Sequence, residues 1–92
     1  MANLTHGMNV DQVENLGRQL KSKATEIDAL ANGINGLVDQ LQAAWKGQDA
    51  TEFKGWWDSQ HRPHLQQLRD AIDGLGQSAL NNANEQRQVS GH

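Results

Sequence analysis

A chain of 92 residues can hold one domain with a modest core. Eleven acidic against eight basic residues leave a formal charge of −3, with no basic run and no aromatic-lined basic groove, which opposes nucleic-acid binding. With no cysteine there are no disulfides or thiolate metal sites, and no window nears the roughly 18 apolar residues of a membrane span.

The N-terminal stretch Met1–Gly7 lacks both a charged n-region and an apolar h-region, so it does not read as a cleavable secretory signal. Residues before Asn9 offer no apolar partners and are expected to fray. A first helix is predicted over about 10–46, opened by a capping box of Asn9 and Gln12. With Val13 as heptad position a, the a residues are Val13, Leu20, Ile27, Ile34 and Leu41. The d residues are Leu16, Lys23, Leu30, Leu37 and Ala44, and the e residues include Gly17, Ala24, Ala31, Val38 and Trp45. That is a wide apolar stripe on one helix face. The large a residues are expected to face the second helix, leaving Val10, Val38, Gly17, Ala24 and Ala31 on an open flank.

A turn is predicted at 47–49. Gly47 suits the left-handed conformation that closes a helix, and Lys46 suits the negative end of the helix dipole. Asp49 with Glu52 reads as a second capping box, starting a helix over about 50–86. So short a connection implies that the two helices fold back antiparallel. Eleven-residue spacing links Phe53, His64 and Leu75, and again Trp57, Leu68 and Ala79; Ala71 and Ile72 fill the same face. Pro63 leaves the carbonyl of Ser59 without its donor, so a kink is expected there, with helical spacing resumed at Leu65, Leu68 and Ile72. The tail beyond Gln86 is expected to fray. Gly33, Gly36, Gly55, Gly74 and Gly76 fall inside helices, each costing about 1 kcal/mol relative to alanine.

No arrangement of side chains carries catalytic chemistry. His61 and His64 stand three apart, but a zinc site needs at least a third protein ligand, and Pro63 distorts the turn between them. They read as surface histidines beside a kink; His6 and His92 fall in the ends, and neither metal nor cofactor is expected. Trp56 and Trp57 point about 100° apart on a helix, so one core cannot take both. Trp45 sits in the last turn before a break, and the residues alone leave a binding surface and a structural core equally open.

Two long capped helices, Trp45 and Gly47 as Trp-x-Gly in mid-chain, and Phe53 after the turn resemble the WXG proteins, the early-secreted-antigen-like substrates of bacterial type VII secretion. The tail Asn82–Gln86 looks like actinobacterial members. The resemblance covers nearly the whole chain. It implies an all-α antiparallel helix-turn-helix hairpin that dimerises into a four-helix bundle and is exported folded, without a cleaved signal. It also implies recognition by the type VII secretion ATPase and no membrane insertion. In many members the Trp-x-Gly turn lies beside a Tyr-x-x-x-Asp/Glu motif in the partner's tail. Here Asn81 stands where tyrosine would be and Glu85 supplies the acidic half, because the chain has no tyrosine.

The expected hairpin and dimer core is Val13, Leu16, Leu20, Ile27, Leu30, Ile34, Leu37, Leu41, Phe53, Trp57, Leu68, Ile72 and Leu75. Such a hairpin is expected to form a homodimer first, and otherwise a heterodimer with a paralogous WXG protein. Two functions follow: an exported substrate or adaptor of type VII secretion, or a cytosolic helical partner or chaperone for a larger secreted toxin or effector.

Overall fold

The computed structural model describes residues 8–45 and 47–90, and among these there are helices and no strand. Expectations for residues 1–7, Lys46 and His92 lie outside the described residues. Helix α1 spans Val10–Ala44, α2 spans Gln48–Trp56 and α3 spans Arg62–Ser90; a π-helical turn, Trp57–His61, joins α2 to α3. The architecture is an all-α helical hairpin, and no described helix is long and apolar enough to cross a membrane.

Asn9 caps α1 as its sequence requires: its Oδ1 accepts the N–H of Gln12 at 3.0 Å, and its carbonyl accepts that of Val13 at 2.9 Å. The helix stops at Ala44, with the Trp45 N–H still bonded to the Leu41 carbonyl at 2.7 Å. Gly47 does not close α1 in a left-handed conformation. Its φ of −88° and ψ of 164° are extended, and it is the N-cap of α2, without a side-chain cap bond. Asp49 is therefore not the cap: it sits in the first turn of α2, where its charge favours the helix dipole.

The continuation past Pro63 takes a specific form. The Arg62 N–H bonds to the Trp57 carbonyl, five residues back, so the helix widens by one residue in the stretch where the proline removes a donor. The Ser59 hydroxyl donates to the Gly55 carbonyl at 2.7 Å within the same turn. One inserted residue rotates everything after it by about 100°. The face that begins with buried Trp57 therefore continues through half-buried Leu65, Arg69 and Ile72, while Leu68 and Leu75 point to solvent. The eleven-residue spacing groups Leu68 with Trp57 and Leu75 with Phe53, and of these four Trp57 alone is buried.

The described chain packs as two units. One comprises residues 8–24 with 71–90. Its centre is a close approach of backbones: a Cβ on Gly76 would stand 2.7 Å from the Gly17 carbonyl oxygen, and one on Gly17 would stand 3.0 Å from that of Gly76. Gly17, Ala24, Gly76 and Ala83 are buried there. Lys21 pairs with Asp73 at 3.1 Å and donates to Gln77 at 3.0 Å. Arg87 binds Glu14 and Asp11 together, and α3 is helical to Ser90, beyond the Gln86 end read from sequence.

Residues 25–70 form the other unit, whose buried side chains are Ala31, Val38, Ala50 and Trp57. Trp57 is only 4% exposed, and its indole N–H is satisfied by Asn35 Oδ1 at 3.1 Å. Lys54 bridges Asp39 and Asp58, both at 3.0 Å, and Arg69 binds Asp28 at 2.9 Å.

The helix seam thus centres on the residues expected on the open flank. The small e residues Gly17, Ala24, Ala31 and Val38 are buried, whereas Leu16, Leu30, Leu37 and Leu41 are exposed and Val13, Leu20, Ile27 and Ile34 are half-buried. Small side chains let two helix axes come close and gain backbone contact, and a row of leucines in the same seam would hold them apart.

Candidate functional site

Two features stand out on the surface of the described residues. The first is a set of large apolar side chains. On α1 the exposed leucines Leu16, Leu30 and Leu37 keep the heptad d spacing, with Leu30 at 56% and Leu37 at 64% exposure. On the second helix Phe53, Leu68 and Leu75 are exposed and Ile72 is half-buried. Of the thirteen residues expected in the hairpin and dimer core, Trp57 alone is buried within the single chain.

The second feature is the turn. Trp45 follows the last residue of α1 and lays its indole over Gly47: a Cβ at Gly47 would come within 2.9 Å of the Trp45 Nε1 and 3.5 Å of its Cδ1. Glycine is needed at 47 for that contact, since its φ is one that any residue can adopt. The ring stays 49% exposed, Trp56 is 53% exposed and Phe53 lies beside them. Leu41, Trp45, Asp49, Glu52, Phe53 and Trp56 line an open groove of about 350 Å³. The 100° between neighbouring helical residues turns Trp57 inward and Trp56 outward, into the groove wall.

The Trp-x-Gly unit is therefore one structural object, a tryptophan held open by the glycine two residues on. A family of proteins of about 100 residues named for this motif, WXG100, matches the chain over residues 7–89. The chain belongs to the WXG100 family. That family consists of type VII secretion substrates, small helical proteins not known as enzymes. No curated protein and no solved structure matches the chain.

The two tail residues singled out in the sequence lie on α3. Asn81 and Glu85 are both exposed on α3, four residues and so about one turn apart. The Asn81 side-chain Oδ1 accepts a bond from Gln77 Nε2 at 3.0 Å. Two residues beyond Glu85, Arg87 is held by Glu14 and Asp11, and the guanidinium draws the Glu14 carboxyl below the usual carboxylate range. Among the described residues no group of three His, Cys, Asp or Glu is placed to hold a metal; His61 and His64 are both exposed.

Sequence reasoning marked Trp45, Gly47 and Phe53 but not the groove, since Leu41, Asp49, Glu52 and Trp56 join it only when α2 folds back beside the end of α1. The small residues at 17, 24 and 31 were legible as allowing a neighbouring helix to approach closely, but were set with Val38 on an open flank rather than in the hairpin seam. Their seven-residue spacing, 17, 24, 31 and 38, was the available signal.

Proposed function

We propose that this chain is a non-enzymatic substrate or adaptor of bacterial type VII secretion that works as a dimer and is recognised at its Trp45–Gly47 turn. One observation carries the reading: the helix seam is filled by small residues, so the large ones are left for a partner. A leucine kept wet forgoes about 1.5–3 kcal/mol, and a chain this small has little stability to spare. A second hairpin covering Leu16, Leu30, Leu37, Leu68 and Leu75 gives a four-helix bundle with closed two-fold symmetry. A second copy is the first choice, and a paralogous WXG protein fits the same geometry.

Sedimentation at micromolar concentration tests the pairing. A cooperatively melting monomer contradicts both versions, and an unfolded chain rescued by a paralogue selects the second. Immunoblots of culture filtrate, with and without the secretion ATPase, test export. Gly47→Ala is the sharper variant, because its methyl group displaces the Trp45 ring while leaving the ring present. It is expected to stay helical and to lose export; Glu85→Ala is expected to act in the same direction.

A second reading has its own observation. Asn81 occupies the place of the tail tyrosine, which favours a chain that does not direct its own export but accompanies a larger secreted toxin or effector as a cytosolic partner. Retention in the cell unless a motif-bearing partner is co-expressed distinguishes that case.

A further inference from the structure

We propose that the groove at the turn takes a short cationic–apolar segment of another protein. Its large apolar side chain would rest on Trp45, Phe53 and Trp56, and the neighbouring arginine or lysine would lie against Asp49 and Glu52. The proposal deepens the recognition reading above, on which it rests, by naming the chemistry of the partner.

Three observations converge on the groove. Three of the chain's four aromatic rings stand half-exposed in its wall, and only Trp57 is spent on the core. Its volume of about 350 Å³ is at the small end of the roughly 300–1,000 Å³ typical of ligand sites, suited to one or two side chains. The third observation is charge. Asp11 and Glu14 are matched by Arg87, Asp28 by Arg69, Asp39 and Asp58 by Lys54, and Asp73 by Lys21. Asp49 and Glu52 form no ion pair with any described residue, and both line the groove. Helix-dipole stabilisation accounts for acids in the first turn of α2, but not for acids set into the rim of an aromatic groove.

The chemistry selects the occupant. A purely apolar ligand would strip water from two carboxylates and give nothing in return. An anionic surface, of lipid or nucleic acid, would meet like charge. The tail of a second copy brings Glu85 toward Asp49 and Glu52, and its own cation, Arg87, is already bound to Glu14 and Asp11. An arginine satisfies both features at once, pairing with the carboxylates and stacking on the indoles.

The test uses the full chain and three acetylated, amidated hexapeptides: Gly-Arg-Leu-Leu-Arg-Gly, its charge-reversed form with glutamate, and its apolar-deleted form with serine. Binding is read from the three indole N–H resonances. The arginine–leucine peptide is expected to move the Trp45 and Trp56 signals and to leave Trp57 in place, with affinity falling as salt rises. Asp49→Asn with Glu52→Gln is expected to weaken it about fivefold, the scale of partly exposed charge pairs, and both control peptides to bind more weakly still. Glu52→Gln alone guards against a fault in folding, since it leaves the first residues of α2 untouched.

Equal binding by the glutamate peptide or by the double variant overturns the proposal. So does movement of Trp45 and Trp56 on concentrating the protein with no peptide present, which would make a second copy the occupant. Export separates this idea from the reading beneath it. If Trp45→Ala abolishes export and the double variant is exported normally, the cationic partner is wrong and recognition at the turn stands. If both are exported normally, recognition at the turn falls too.

Discussion

The two units of this hairpin are built on opposite uses of side-chain size. In residues 8–24 with 71–90 the helices meet through glycine and alanine, so close that Gly76 has no room for a methyl group, and ion pairs close the flanks. In residues 25–70 one large side chain, Trp57, is buried together with Ala31, Val38 and Ala50, while two more rings and a phenylalanine are turned outward around the break. The first arrangement closes its seam on small residues and leaves Leu16 and Leu75 exposed outside it. The second stabilises with one ring and displays the rest, because a helix can bury Trp57 or Trp56 but not both.

The contrast can be broken by substitution, and the largest effect is expected at Trp57. Trp57→Ala empties the turn-side core and strands the Asn35 side chain, costing about 3–5 kcal/mol in a denaturant melt at fixed protein concentration. Gly76→Ala comes next: its Cβ meets the Gly17 carbonyl at 2.7 Å and Lys21 Cγ at 2.8 Å, and overpacking of that kind costs about 1–3 kcal/mol. A gain in stability at Gly76 would show that the backbones are not in contact.

Trp45→Ala should fall well below the Trp57 loss, under about 2 kcal/mol, since half of its surface is already wet. Wholesale unfolding of this variant, with normal export of what survives, would remove the distinction between a displayed ring and a core ring. Gly74→Ala sharpens the comparison from the other side. A Cβ there meets nothing within 4 Å, so the helix gains about 0.5–1 kcal/mol where its neighbour two residues on loses stability.

Acidity and alkali should loosen different ends, with the smallest effects of the set. Hydrogen bonds from Arg87 and then Arg18 hold the Glu14 carboxyl below its ordinary value. Its contribution is therefore complete above the ordinary carboxylate range and is lost as pH falls through the lowered value. Lys54 is raised by Asp39 and then Asp58, so its contribution is complete below the ordinary lysine value and lost as pH rises through the raised one. Both groups are exposed, so the effects are small and salt-sensitive. Following Glu14 by NMR in the wild type and in Arg87→Gln should show the acid shift disappear in the variant.

What the sequence determined by itself was local. Asn9 announces its helix, because a cap bond spans three residues and needs no tertiary partner. The break after Trp45, the disturbance at Pro63 and the opposed directions of Trp56 and Trp57 are also set by backbone chemistry within one or two turns. The Trp45–Gly47 pair was legible as a motif; its reason was not, since nothing local shows that the glycine makes room for an indole rather than supplying a left-handed residue. Tertiary structure alone decided which side of α1 is buried. Positions a, d and e form one broad apolar stripe, and size-based reading puts leucines inside, yet the helices gain more by meeting on Gly17, Ala24, Ala31 and Val38. It also decided the second helix's face, because the π-turn adds one residue that no periodicity records and carries Leu68 and Leu75 round to the solvent. The first outcome depends on how closely two helices can approach, a property of the pair that neither helix's sequence states alone.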